Sequence, residues 1–277
     1  MIRLDIVDSV LLVNNQRIDV DEREKKINIV NRNFVSNSML ASSSVCIGLK
    51  CAWNGISKQG KNQTNCDQSI LEEQSVLLSG PYGDDVAFIR QFNQQIIIGL
   101  SDGVSGNRHH GLDPYKFAHE LINSCLEETD IVHGSSSMRG LVHRAIRSVE
   151  KRSIFGSATL CLLSIDKSSS CLRSLNIGDS GFMLIRNKQL LLRSVPQYHR
   201  GSSPFQLSSF PRTHLFSSTN LTRLYQDKPS DGQYLEQHLQ IGDLLLIASD
   251  GLFDNLYEDF IVQILNNHLV RFDFLEF

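Results

Sequence analysis

Four times along this chain a carboxylate stands beside a glycine or a serine where one stretch of residues gives way to the next. The four are Gly83-Asp84-Asp85, Ser101-Asp102-Gly103, Gly178-Asp179-Ser180 and Ser249-Asp250-Gly251. Three of them directly follow an apolar run: "QQIIIGL" (94–100), "CLRSLNI" (171–177) and "DLLLIAS" (243–249). A single Asp-Gly step is ordinarily a turn, and each of these taken alone reads as one. The set of four constrains the fold more tightly. Strands that enter a sheet side by side would bring the acids to one edge. Carboxylates crowded there repel each other by on the order of several kcal/mol unless cations sit among them. Hard oxygen donors favour Mg2+ or Mn2+ over zinc, and neighbouring glycines let backbone carbonyls and waters approach an ion. Two ions sharing a water would lower its pKa and aim it at phosphorus, with no protein nucleophile required.

Other motifs compete with this reading. Gly99-Leu100-Ser101-Asp102-Gly103 matches the G-x-S-x-G elbow of serine hydrolases, in which a helix begins directly after the serine. Here Ser101 is followed by Gly103, Gly106 and the polar Asn107-Arg108-His109-His110, and helical signals start only at Asp113-Pro114. The match is attributed to chance. Gly55 to Asn62, "GISKQGKN", resembles a P-loop but carries asparagine where the Mg2+-binding hydroxyl belongs. None of the six cysteines has an arginine six positions on, which removes a cysteine-based phosphatase.

Hydrophobic periodicity predicts two adjacent strands, "VAFIRQF" (86–92) and "QQIIIGL", joined near Asn93. A helix follows with Asp113 as N-cap, Pro114 in its first turn and Phe117, Leu121, Ile122 and Cys125 at helical spacing. "MRGLVHRAIRSVEK" (138–151) predicts a second helix. Strands are expected in "ATLCLLSI", "CLRSLNI", "GFMLIR", "QLLLRS" and "DLLLIAS", a long polar flap over 196–235, and a helix from about Asn255 to Leu269. Strands in runs around a helical pair argue for α+β, a central sandwich of mostly antiparallel sheets flanked by helices. Residues 1–75 mix short strand-like pieces with Ser/Asn-rich segments and read as a variable N-terminal region before a domain over 76–277.

A formal charge of -3 gives no electrostatic footprint for nucleic acid. No apolar run approaches the ~18 residues of a membrane span. The cysteines form no C-x-x-C pair and read as reduced packing residues of an intracellular protein. The N-terminus, with Asp5 and Asp8, has the pattern of neither a secretory nor a mitochondrial leader.

Five stretches in order then resemble the successive motifs of the metal-dependent type-2C (PPM) protein serine/threonine phosphatases. They are Gly83-Asp84-Asp85, Asp102-Gly103, Gly156-Ser157-Ala158-Thr159, Asn176 to Gly181 and Ala248 to Asn255. Gly111 to Phe117 and Ser203 to Ser208 resemble the mitochondrial subgroup of that family. The resemblance covers about residues 80 to 269 and implies a β-sandwich with a two-metal site at one edge. It implies that Asp102 bridges two Mg2+ or Mn2+ ions and that the Gly103 carbonyl binds one. Asp84 would contact an ion through water with Asp85 in support, Asp250 would ligate the other ion, and Asp179 matches the position linked to a weaker third ion. Asp84, Asp102 and Asp250 would carry catalysis in a monomer acting on phosphorylated proteins, in mitochondria by the resemblance or in the cytoplasm by the N-terminus as given.

The chain also departs from that pattern. The family's last metal ligand, on a final strand, has no counterpart before Phe277, so the resemblance implies a C-terminal truncation with closing strands missing. An arginine common four residues before the first acid is Gly80 here, and a histidine common after Asp-Gly is Val104. His109 and His110 are read as solvated loop residues. The rival expectation is a catalytically silent scaffold that keeps the fold and binds phosphoproteins.

Overall fold

The computed structural model describes residues 83–92, 94–129, 138–200, 202–210 and 225–267 in full, and the backbone of the further strands and helix end named below. The P-loop-like stretch, Cys46, the two N-x-[ST] sequons at Asn62 and Asn220, read as chance matches in loops, and the C-terminal segment 270–277 lie outside the described residues.

The chain folds as two compact units and passes between them: Met1–Ile70, Phe182–Arg193 and Gln240–Phe277 form the first, Leu71–Gly181 and Ser194–Leu239 the second. The first unit opens with β1 (Arg3–Val7), β2 (Leu12–Val13), β3 (Gln16–Asp21), β4 (Lys26–Val30), β5 (Lys50–Asn54) and β6 (Gln68–Ser69). The second supplies β7 (Ser75–Leu78), β8 (Asp85–Phe92), β9 (Gln95–Asp102), α1 (Pro114–Thr129), α2 (Met138–Lys151), β10 (Gly156–Ala158), β11 (Leu160–Asp166) and β12 (Cys171–Ile177). Then come β13 (Gly181–Arg186) and β14 (Gln189–Arg193), then β15 (Leu207–Ser209) and β16 (Gln233–His238). The chain closes with β17 (Leu244–Ala248), α3 (Asp250–Phe253) and α4 (Glu258–Leu269).

The sheet of the second unit runs β16-β12-β11-β9-β8-β7 with every neighbouring pair antiparallel. Its helices arise where the sequence predicts them. The Asp113 carboxylate accepts from the Tyr115 amide at 3.1 Å, capping a free donor of the first turn of α1. Phe117, Leu121, Ile122 and Cys125 of α1 and Leu141, Val142, Ala145 and Val149 of α2 enter one core with Val86, Phe88, Leu160, Leu162, Leu175 and Ile177 of the sheet. Each Val, Leu, Ile or Phe side chain here, fully buried, contributes roughly 1.5–3 kcal/mol. Burial pushes the Cys125 thiol up to about 12, so it stays a protonated packing group.

The first unit carries a sheet of order β14-β13-β17-β1-β5-β6. Its middle is parallel, β1 pairing in that sense with both β17 and β5, a local exception in sheets that are mostly antiparallel, as strands in runs led one to expect. Period-2 patterning fixes a strand's buried face and carries no information on the direction of its partner. A bidentate pair anchors β13: Arg186 Nε and Nη2 donate to the two oxygens of Asp243, each at 2.7 Å. Asp243 is buried and also accepts from the Gln240 amide at 2.9 Å. Removing one member of such a pair strands the other charge. Asp243→Ala is therefore expected to cost about 3–5 kcal/mol, read as a lowered urea midpoint; an unchanged midpoint would show the pair to be dispensable.

The stretch 196–235, read as one long flap, contains β15 and the start of β16. β15 is only three residues, Leu207, Ser208 and Ser209, and exists because β10 pairs with it. β16 is a polar edge strand alternating half-buried and exposed residues, too weak a pattern to stand out. The last helix begins at Glu258 rather than near Asn255, with the short α3 before it.

Candidate active site

Strand register decides which acids meet in the second unit. β8 and β9 pair so that Asp85 lies directly opposite Asp102. Like charges opposed across an antiparallel pair destabilise it, so this strand end favours a positive charge close by. The chain turns just beyond it. The Gly103 amide donates to the Asp84 carbonyl at 3.0 Å, and the Val104 amide to the Ser157 carbonyl at 3.0 Å. A Cβ on Gly103 would overlap the Pro114 carbonyl group and reach 3.0 Å from the Asp84 carbonyl oxygen. The glycine is thus a condition for the close approach of α1 to the strand end.

Asp102 is held through its backbone by Thr159. The Thr159 amide donates to the Asp102 carbonyl at 2.9 Å, and the Asp102 amide donates to Thr159 Oγ1 at 3.2 Å. Thr159 Oγ1 also lies 2.7 Å from the buried Ser180 hydroxyl, beside Asp179. One threonine therefore ties the Asp102 strand end to the Asp179 turn. That turn requires glycine at 178: φ is +104°, and a Cβ would sit 2.6 Å from the Phe205 carbonyl oxygen. The Gln197 amide closes the arrangement by donating to the Gly178 carbonyl at 3.0 Å.

Asp84 is buried, and its carboxylate is taken by Arg108, whose Nη1 donates to Oδ2 at 2.7 Å and Nη2 to Oδ1. This hydrogen-bonded pairing raises the Arg108 pKa above its ordinary value. Sequence reasoning missed Arg108, which looked like one residue of a polar loop. Its partner lies 24 positions away, a distance no local pattern reports. His109 and His110 are exposed, as read.

Asp250 belongs to the first unit. It opens α3 directly after β17, whose residues are all buried, with Ser249 at the N-cap. Asp254, one turn on, has its pKa raised by burial and then by the Asp250 charge, against a smaller lowering by Arg193.

Ser101 settles the hydrolase question. Its hydroxyl is buried and donates to the Thr159 carbonyl at 2.7 Å, and the residues that follow form a 3-10 turn, Ser105–His110, rather than the helix an elbow demands.

Among the described residues no three His, Cys, Asp or Glu side chains gather closely enough to hold a metal ion as they stand. The donor chemistry nevertheless fits a hard divalent cation: Asp85 and Asp102 are opposed in register, and Asp84 already binds a guanidinium cation.

No family model matches the chain. It is 31% identical over 238 residues to the protein phosphatase PTC7 homolog fig of Drosophila mojavensis, covering 85% of this chain and 73% of that protein. It is 35% identical over 185 residues to the same-named protein of Drosophila grimshawi, and 34% over 187 residues to the PTC7 homolog of Danio rerio. Each of these two matches takes in 66% of this chain, which spans 58% and 60% of those relatives' lengths. Among solved structures, the photosystem II phosphatase PBCP superposes with a TM-score of 0.57 at 24% identity, covering 69% of this chain and 71% of that one, a likeness of fold. The order of motifs, the sheet-and-helix architecture and the PTC7 relatives converge: the chain belongs to the type-2C (PPM) family of protein phosphatases.

Proposed function

We propose that this chain hydrolyses phosphoserine and phosphothreonine in proteins with the help of Mg2+ or Mn2+. The observation that carries the reading is the opposition of Asp85 and Asp102 at adjacent strand ends, with Asp84 and Gly103 joined by a backbone hydrogen bond beside them. In this reading Asp84, Asp85, Asp102, the Gly103 carbonyl and Asp179 are metal-site residues of the second unit, and Asp250, in the first unit, is proposed as a metal ligand on the resemblance alone. Divalent cations, when bound, supply charge neutralisation for phosphoryl oxygens and a water acidic enough to attack phosphorus near neutral pH. The chain's own part is to fix the acids. Thr159 holds the Asp102 backbone, Gly178 shapes the Asp179 turn, and the buried Ser101 hydroxyl is withheld from any nucleophilic role. A mitochondrial location belongs to the same reading, supported by the likeness of residues 111–117 and 203–208 to the mitochondrial subgroup.

The test is release of phosphate from a phosphothreonine peptide by the purified chain, in EDTA and then with Mn2+ or Mg2+ restored. Turnover is expected only with the cation; equal turnover in EDTA would sink the mechanism. One observation favours the silent scaffold: Asp84 is engaged by Arg108 instead of standing in a three-carboxylate group. Phosphopeptide binding without turnover at any cation concentration would establish that alternative.

A further inference from the structure

Arg108 grips Asp84 with one edge of its guanidinium only. Nη1 and Nη2 each give one hydrogen to the carboxylate, which leaves Nε–H and one hydrogen on each Nη from the five that the group carries. Asp84 is 5% exposed, while the Arg108 side chain is 53% exposed. A buried acid thus fixes a planar cation whose other donors face solvent. The turn that carries it is fixed as well. Asn107 is buried, and its side-chain amide donates to Ser157 Oγ at 2.9 Å, while Gly111 closes the turn in the left-handed conformation at φ +72°. Asp84 directly precedes Asp85, and its carbonyl accepts from the amide of Gly103, the residue after Asp102, so the acid that holds Arg108 is tied to the strand end that carries both.

We propose that the outward edge of Arg108 binds the phosphoryl oxygens of the substrate, making it the residue that recognises the phosphomonoester; this rests on the phosphatase reading above. A rigid guanidinium fork matches two oxygens of a phosphate. Ordering a long, flexible side chain usually weakens such binding, and Asp84 has already ordered this one. Asp84 also neutralises the charge, so Arg108 offers directed donors without a large net attraction, which suits release of orthophosphate as product.

The test measures orthophosphate binding by calorimetry, with and without Mn2+, alongside steady-state kinetics on a phosphothreonine peptide. Arg108→Lys keeps a cation for Asp84 and loses the fork. Its orthophosphate Kd and peptide KM are expected to rise about tenfold, with kcat changed less than about threefold. A role confined to supporting Asp84 would instead lower kcat and leave both affinities alone. If Arg108→Lys does not fold, the pair Asp84→Asn with Arg108→Gln removes both charges together. Read without Mn2+, where the proposed metal-site role of Asp84 does not enter, losing the Asp84 charge alone would strengthen anion binding, so weaker orthophosphate binding in the double variant traces to Arg108. Unchanged orthophosphate affinity in the folded variant, or no binding to the unsubstituted chain at millimolar phosphate, overturns the proposal. Orthophosphate binding that depends on Arg108 in a chain without turnover would refute the phosphatase reading and leave Arg108 as the phosphate-binding residue of a silent scaffold.

Discussion

Asp102→Asn is expected to abolish phosphate release while leaving the fold intact. The substitution changes the end of one side chain and none of the backbone bonds that position it: the Thr159 amide still donates to the residue 102 carbonyl, and the residue 102 amide still donates to Thr159 Oγ1. What disappears is one of two carboxylates opposed in register on β8 and β9. Their repulsion is relieved, so without divalent cation the variant should melt at the same temperature as the unsubstituted chain or slightly higher. On the proposed reading, one of the carboxylates that would draw a cation goes with that repulsion. Activity should fall by about a hundred- to a thousandfold, the scale on which loss of a preorganised electrostatic partner acts. Thermal melts supply a readout independent of turnover. Ligand that binds only the folded state adds about 2.7 kcal/mol of stability at a hundred times its Kd. Mn2+ should therefore raise the midpoint of the unsubstituted chain and have much less effect on the variant. Retained activity, or an equal Mn2+ response in both proteins, would remove Asp102 from the metal site.

The legible parts of this molecule are those where chemistry and periodicity coincide in adjacent residues. Phe117, Leu121, Ile122 and Cys125 announce α1 by spacing and Asp113 announces its start, and all five act as the spacing requires. Asp102 was conspicuous because a charge and a glycine follow closely on the apolar run Ile96-Ile97-Ile98-Gly99-Leu100. Arg108 was not, because its meaning lies in a buried partner on another strand. The hydroxyls of Thr159 and Ser180 are similar: each sits in a short motif, yet only the paired strands show that their oxygens stand 2.7 Å apart and join two acid-bearing turns. The parallel pairing of β1 with β17 and β5 was hidden for a related reason, since burial patterns record faces and not directions. β15 was hidden because a strand of three residues is defined by its partner, β10, more than by its own side chains.

Gly103→Ala is expected to be among the most damaging single-methyl changes in the second unit. The new Cβ would overlap the carbonyl of Pro114 and press to 3.0 Å on the carbonyl oxygen of Asp84. Both obstacles are backbone, so no rotamer change relieves them. Pro114 cannot retreat cheaply, because it opens α1, and Phe117, Ala118, Leu121 and Ile122 behind it are wholly buried against the sheet. Asp84 is restrained in turn by the bond it accepts from the Gly103 amide and by Arg108. Overpacking in a rigid setting costs typically 1–3 kcal/mol and sometimes more, and about 3 kcal/mol or more is expected here because backbone must move on both sides. Gly106→Ala is the matched control: a Cβ there meets only Val104 Cγ1, at 3.9 Å, and stability should stay within about 0.5 kcal/mol. Urea titrations of the three chains decide the matter. Equal midpoints for Gly103→Ala and Gly106→Ala would mean that α1 and the strand end can part without penalty. The glycine after Asp102 would then serve chain conformation alone, and the case for a closely packed acid-bearing edge would weaken with it.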